Sequence, residues 1–98
     1  MPDTKVSVVM PTFNEEEIID SSIRTTCEAL EREHLNYELI VVNDGSKDLT
    51  SWVAKEEAEH REYVKVVGYD FPNRGKGYAL KYGAMGALGE YVVFLDSD

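Results

Sequence analysis

Four short apolar runs punctuate the chain: Val6 to Met10, Glu38 to Val42, Val64 to Gly68 and Tyr91 to Leu95. Each has the length of a β-strand and is rich in Val, Ile, Tyr or Phe. Three helical patterns lie between them. The first runs from about Glu15 to Arg32 and places Ile19, Ile23, Cys27 and Leu30 on one face at steps of three and four. Asn14 is a good N-cap for it, and Glu17 three residues later completes a capping-box pattern. The second begins near Asp48 and is expected to turn Leu49, Trp52 and Val53 inward, with Lys55, Glu56, Glu57 and Glu59 as a solvated face. The third, from about Gly77 to Leu88, carries a stripe of small residues, Ala79, Gly83, Ala84 and Ala87. Such a stripe lets a helix lie close to a sheet, and packing must then compensate for the low helix propensity of glycine.

Strands alternating with helices predict an α/β fold, Rossmann-like, with a mainly parallel four-stranded sheet flanked by helices in three layers. Near-continuous apolar strands suit a sheet covered on both faces. Right-handed crossovers bring every strand-to-helix turn to the same edge of that sheet. The polar clusters Pro11 to Glu15, Asn43 to Asp48, Asp70 to Gly77 and Asp96 to Asp98 all fall at such turns, so they are expected to converge on one crevice. No repeat, low-complexity tract or linker divides the 98 residues, which read as one domain.

Ten basic against nineteen acidic side chains give a formal charge of −9, which argues against a nucleic-acid backbone as the main partner. An anionic ligand would need local help from a metal ion, a helix N-terminus, or the basic pair Arg74 and Lys76. A single cysteine, Cys27, excludes an internal disulfide and fits a reducing compartment. The N-terminal residues lack the pattern of a signal peptide, and no run reaches the roughly 18 apolar residues of a membrane span. A soluble, cytoplasmic chain is expected, with membrane association left open for a longer protein.

The chemistry is concentrated in the turns. Asp96-Ser97-Asp98 ends a strand with two carboxylates one residue apart, hard oxygen ligands suited to Mg²⁺ or Mn²⁺ holding a diphosphate; a solvated acidic turn is the other reading. In Pro11-Thr12-Phe13-Asn14-Glu15, Pro11 is expected to stop strand pairing and expose the next backbone groups. Its acidity makes a poor phosphate cradle, so a ligand here should present a ribose or base, unless the cluster simply caps a helix. Asp44, after the second strand, can accept from a nucleobase N–H or a ribose hydroxyl, or can form an Asp-Gly turn. Asn73-Arg74-Gly75-Lys76-Gly77 is the one basic, glycine-rich turn, read either as an anion contact or as a surface loop. It is no Walker A loop, because Gly77 stands where Ser or Thr is needed, and no G-x-G-x-x-G, because Leu80 stands at the last glycine. His34 and His60 fall at polar helix ends and are expected at the surface. No Ser, Cys or His arrangement argues for covalent catalysis.

Taken in order, Val6 to Glu16, Val41 to Asp48, Asn73 to Gly77 and Gly89 to Asp98 resemble the family-2 inverting glycosyltransferases of the GT-A fold, and the Asn-Arg-Gly-Lys-Gly turn looks like the branch of dolichyl-phosphate glucosyl- and mannosyltransferases. The resemblance implies a nucleotide-sugar-binding half with strand order 3-2-1-4. It places Pro11, Thr12, Phe13, Asn14, Glu15 and Asp44 at the nucleoside of a UDP- or GDP-sugar and Arg74 or Lys76 near the base or phosphates. Asp96 would face ribose and metal, and Asp98 the metal. The acceptor, a polyprenyl phosphate or a glycan, and any general base would belong to residues beyond Asp98. A fragment is therefore expected, a donor-binding part with weak or no transferase activity, whose uncovered sheet surface invites self-association. Two rival readings are a sugar-phosphate nucleotidyltransferase, which usually depends on a glycine-rich basic loop after the first strand, and a non-enzymatic, self-associating α/β domain.

Overall fold

The computed structural model describes residues 4–98. Four strands, β1 (Val6–Thr12), β2 (Tyr37–Asp44), β3 (Val64–Tyr69) and β4 (Tyr91–Phe94), alternate with three helices, α1 (Ile19–Arg32), α2 (Thr50–Ala58) and α3 (Lys76–Ala84). All three strand pairings are parallel, and the order across the sheet is β3-β2-β1-β4. The chain builds outward from β1 through β2 to β3, then returns to the other side of β1. The order reverses between β1 and β4, the position at which open α/β sheets bind their ligands.

Side-chain alternation divides the core between the two faces. Val8, Met10, Leu39 and Val41 pack with Ile19, Ile23 and Cys27 of α1 and Ala54 of α2; Val9, Ile40 and Val42 pack against Ala79 of α3. The small-residue stripe has a direct cause at Gly83, where a Cβ would come within 2.5 Å of Val9 Cγ1 and 2.7 Å of Val42 Cγ2. Double coverage holds for the central β1 and β2. It fails for β4, whose Tyr91, Val92, Val93 and Phe94 are all exposed, because among the described residues no helix packs extensively over this edge strand.

Other local expectations are overturned by tertiary contacts. The capping box does not form. Residues 15–18 make a separate turn, α1 starts at Ile19 after Ile18, and Asn14 adopts φ +52° in a loop bound to the β2–α2 connection. Val53 packs against the core as expected, but Leu49 and Trp52 are exposed and Thr50 and Ala54 are buried, so the inward face of α2 is rotated from the one expected. Small side chains suit this face because α2 packs on both β3 and α1. The third helix ends at Ala84, short of Leu88. Pro11 does not stop pairing with β2, where the register continues through Pro11↔Val42 and Thr12↔Asn43. Val9 accepts from Leu95 N on the β4 side, so by alternation the missing N–H of Pro11 also points that way, where pairing ends. His34 and His60 are both exposed at helix ends, His34 at φ +56° just after α1.

Candidate active site

At the carboxyl ends of β1 and β4 lies a hollow of about 300 Å³. Pro11, Thr12, Phe13 and Glu15 line it after β1, Asp44 at the end of β2, Asn73, Gly75 and Lys76 before or at the start of α3, and Asp96, Ser97 and Asp98 after β4. Four segments far apart in sequence thus meet as the parallel topology requires. Of the residues singled out from sequence, Asn14 and Arg74 are not in this wall. A larger groove of about 370 Å³ runs beside the edge strand β3, past Ser51, Lys55 and Asp70, and is separate from the acidic pair.

Asp44 is buried and organises the glycine-rich turn. Its Oδ1 accepts from the Tyr69 hydroxyl at 2.6 Å and from Arg74 N at 2.8 Å, and Oδ2 accepts from Gly75 N at 3.1 Å. Burial, then this hydrogen bond to a carboxylate, raise the pKa of Tyr69 and keep its hydroxyl a donor. A carboxylate offers about four acceptor sites, so Asp44 keeps room for roughly one more donor from the hollow. Gly45 has φ +65°, and a Cβ there would approach Pro72 O to 2.5 Å, so the turn after β2 and the loop before α3 touch backbone to backbone.

The two cations of that loop part company. The Arg74 guanidinium lies 4.8 Å from the Tyr69 ring centroid and 5.1 Å from that of Tyr78, and donates to the Tyr78 hydroxyl at 2.8 Å. Lys76 instead reaches across the hollow to Asp96 Oδ1 at 2.5 Å. Both partners are more than half exposed, so the pair contributes at most about 1 kcal/mol and is readily exchanged for another anion.

The β1 turn is laced to the β2–α2 connection. Asn14 N donates to Ser46 Oγ, Asn14 Oδ1 accepts from Lys47 N, and Glu15 N donates to Thr50 Oγ1 at 2.7 Å. Asp48 accepts from Glu16 N and from the backbone and hydroxyl of Thr50. Burial alone would raise the pKa of Asp48, but these donors outweigh it and hold the carboxyl below its ordinary value. Asn14 therefore shapes the wall from behind, a role its place at a turn does not reveal.

Asp96 and Asp98 present two exposed carboxylates, and no group of three or more His, Cys, Asp or Glu side chains able to hold a metal occurs among the described residues. That donor set fits Mg²⁺ or Mn²⁺ bound jointly by one or two carboxylates and the phosphates of a ligand; it does not fit a site made of protein ligands alone. Sequence reasoning missed Tyr69, for which no local signal exists. It also passed over Ser97, which is buried between the two exposed carboxylates and lines the hollow with them.

A parallel sheet with its hollow at the order reversal, one acidic wall and one lysine opposite, is the arrangement of an open α/β domain with a ligand crevice at its switch point. The chain belongs to glycosyl transferase family 2, whose model matches residues 7–98. It is 36% identical over 104 residues to the human dolichyl-phosphate beta-glucosyltransferase, covering 99% of this chain and 32% of that protein. A dolichyl-phosphate beta-glucosyltransferase of Trichomonas vaginalis is 35% identical, with 99% and 31% covered. The chain thus spans about a third of the length of these relatives. Among solved structures, a Pyrobaculum calidifontis mannosyltransferase in complex with GDP-Man and Mn²⁺ superposes with TM-score 0.83 at 30% identity, over 100% of this chain and 30% of that one. Glucosyl-3-phosphoglycerate synthase of Mycobacterium tuberculosis, in complex with Mn²⁺, UDP and phosphoglyceric acid, gives TM-score 0.73 at 34% identity, over 97% and 33%. Strand order, parallel pairing and the GT-A likeness accord with what the sequence motifs imply.

Proposed function

We propose that the hollow binds a UDP- or GDP-linked sugar, and that residues 1–98 are the donor-binding part of a domain that transfers this sugar to an acceptor with inversion. The observation that carries the proposal is the placement of Asp96, Asp98, Asp44 and Lys76 around one hollow at the strand-order reversal. The turn from Pro11 to Glu15 and the free acceptor site of Asp44 receive the nucleoside. Lys76 exchanges Asp96 for the diphosphate, two negative groups in place of one. Asp96 and Asp98 hold Mg²⁺ or Mn²⁺, Asp98 facing the metal and Asp96 both metal and ribose. When bound, the ion offsets the charge that builds on the diphosphate as it leaves the anomeric carbon. Arg74, held between two tyrosine rings, serves the site by shaping the loop rather than by touching phosphate.

A polyprenyl phosphate is the proposed acceptor, supported by the dolichyl-phosphate relatives; its oxygen is already anionic and needs no base to become a nucleophile. A glycan hydroxyl is the alternative and would need a carboxylate base, which none of residues 4–98 is assigned to be. The nucleotidyltransferase reading is disfavoured because the loop after β1 carries Pro11, Thr12 and Phe13 in place of glycines and cations.

Calorimetric titration of the chain with UDP and with GDP, each with Mn²⁺, tests the reading. Binding of one nucleotide, lost in Asp98→Ala, is expected. Absence of heat with both nucleotides would overturn it.

A further inference from the structure

The acidic turn is held from behind by a helix. Ser97 is buried, its hydroxyl donates to Glu15 Oε1, and the same oxygen accepts from Thr12 Oγ1 at 2.8 Å. The carbonyl oxygen of Ser97 accepts a hydrogen bond from Ser22 Oγ, on the first turn of α1, 75 residues away in sequence. A helical serine ordinarily bonds back to a carbonyl of its own preceding turn, as Ser21 does to Ile18 O at 2.9 Å. Ser22 instead spends its hydroxyl on the peptide between Asp96 and Asp98.

That contact matters because, beside the Ser97 hydroxyl on Glu15 and the exposed Lys76–Asp96 pair, it is the tie that joins the backbone of this segment to a helix. β4 has four residues, all exposed, and is paired on one side alone among the described residues. The core is therefore a weak guide for the turn after it. A metal-ligating pair must be placed to within about 0.5 Å, which calls for a rigid support behind it. α1, anchored by the fully buried Ile19 and Ile23, is such a support.

We infer that Ser22 is a positioning residue for the acidic pair: through the Ser97 carbonyl it directs Asp96 and Asp98 into the hollow and so sets the affinity for a divalent cation in the presence of nucleoside diphosphate. The inference rests on the donor-site reading above. Loss of such outer support typically weakens metal binding by about 10–100-fold.

The test is Mn²⁺ binding to the 98-residue chain with saturating UDP or GDP, read from the electron paramagnetic resonance signal of free Mn²⁺, for Ser22→Ala, Ser22→Val and Ser22→Thr. Thr keeps the hydroxyl, and Val has its shape without it. Ala and Val are expected to bind Mn²⁺ about tenfold more weakly and Thr like the parent, with circular dichroism spectra unchanged. Unchanged affinity in Ser22→Ala, or Thr as weak as Ala, overturns the role of Ser22 while leaving the donor site standing. If Ser22→Val fails to fold, the contrast of Ala with Thr decides alone. A parent chain that retains no Mn²⁺ with either nucleotide overturns the donor-site reading and this inference together.

Discussion

The Lys76 ammonium sits 2.5 Å from Asp96 Oδ1, bridging the β3–α3 loop to the acidic turn across the mouth of the hollow. The arrangement keeps one carboxylate neutralised and holds a cation where a diphosphate would arrive.

Lys76→Ala is expected to weaken nucleoside diphosphate binding by roughly tenfold, the scale of one charge-assisted contact of about 1.5 kcal/mol. Its melting temperature should stay within about 3 °C of the parent, since exposed pairs contribute little to stability. Arg74→Ala should do the reverse, loosening the edge-to-face Tyr69–Tyr78 pair with a smaller effect on affinity. Calorimetry and thermal melts on the two variants separate these effects; equal affinity losses would contradict the division of roles.

Asp44→Ala removes the acceptor for one hydroxyl and two backbone N–H groups. A loss of about 2–4 kcal/mol is expected, since water can reach only part of what is left unpaired. That corresponds to a fall in melting temperature of more than about 8 °C. Asp44→Asn, which keeps acceptor capacity at one oxygen, should lose less. Chemical denaturation of both variants checks the ranking.

Gly83→Ala sets two effects against each other. Alanine gains about 1 kcal/mol of helix propensity. Its Cβ meets methyls of Val9 and Val42 at 2.5 and 2.7 Å, and buried valines in central strands have few other rotamers. Overpacking of this kind costs about 1–3 kcal/mol, so a net destabilisation is expected. A urea midpoint equal to or above that of the parent would refute close helix–sheet contact here.

Glu38 gives the fold an acid-sensitive joint. Burial alone would raise its pKa, but the Ser7 hydroxyl and Leu88 N–H, each at 2.6 Å, and Lys65 Nζ at 3.4 Å outweigh it and lower it below the ordinary 4.5. A carboxyl whose pKa is depressed by folding contributes stability above its unfolded pKa and loses it as pH falls through the folded value. Stability should therefore decline below about pH 4.5, and Glu38→Gln, less stable at pH 7, should flatten that part of the curve. Melting curves from pH 3 to 7 check the sign.

The four strands were legible from apolar runs bounded by polar turns, to within two residues at each end, because a strand's apolar run and a turn's chemistry are local properties. So was the gathering of Asp44, Lys76 and the Asp96–Asp98 pair at one edge, which follows from right-handed parallel crossovers whatever the details. The inward face of α2 was not legible. Its apolar residues Leu49 and Trp52 suggest one face, and its packing between β3 and α1 selects Thr50 and Ala54. Nor was the fate of Asn14, a plausible cap whose oxygen serves Lys47 N instead.

By itself the sequence determined the alternation of elements, the parallel sheet and the chemical character of each turn, because periodicity and turn residues act over a few positions. Its ordered motifs also carried the family likeness and, through it, the strand order. Tertiary structure alone decided which oxygen meets which donor: Asp44 with the Arg74 and Gly75 amides, Lys76 with Asp96, and Ser22 with the Ser97 carbonyl. These pairs lie 20 to 75 positions apart, and such contacts depend on the relative placement of whole strands and helices, which no local pattern encodes.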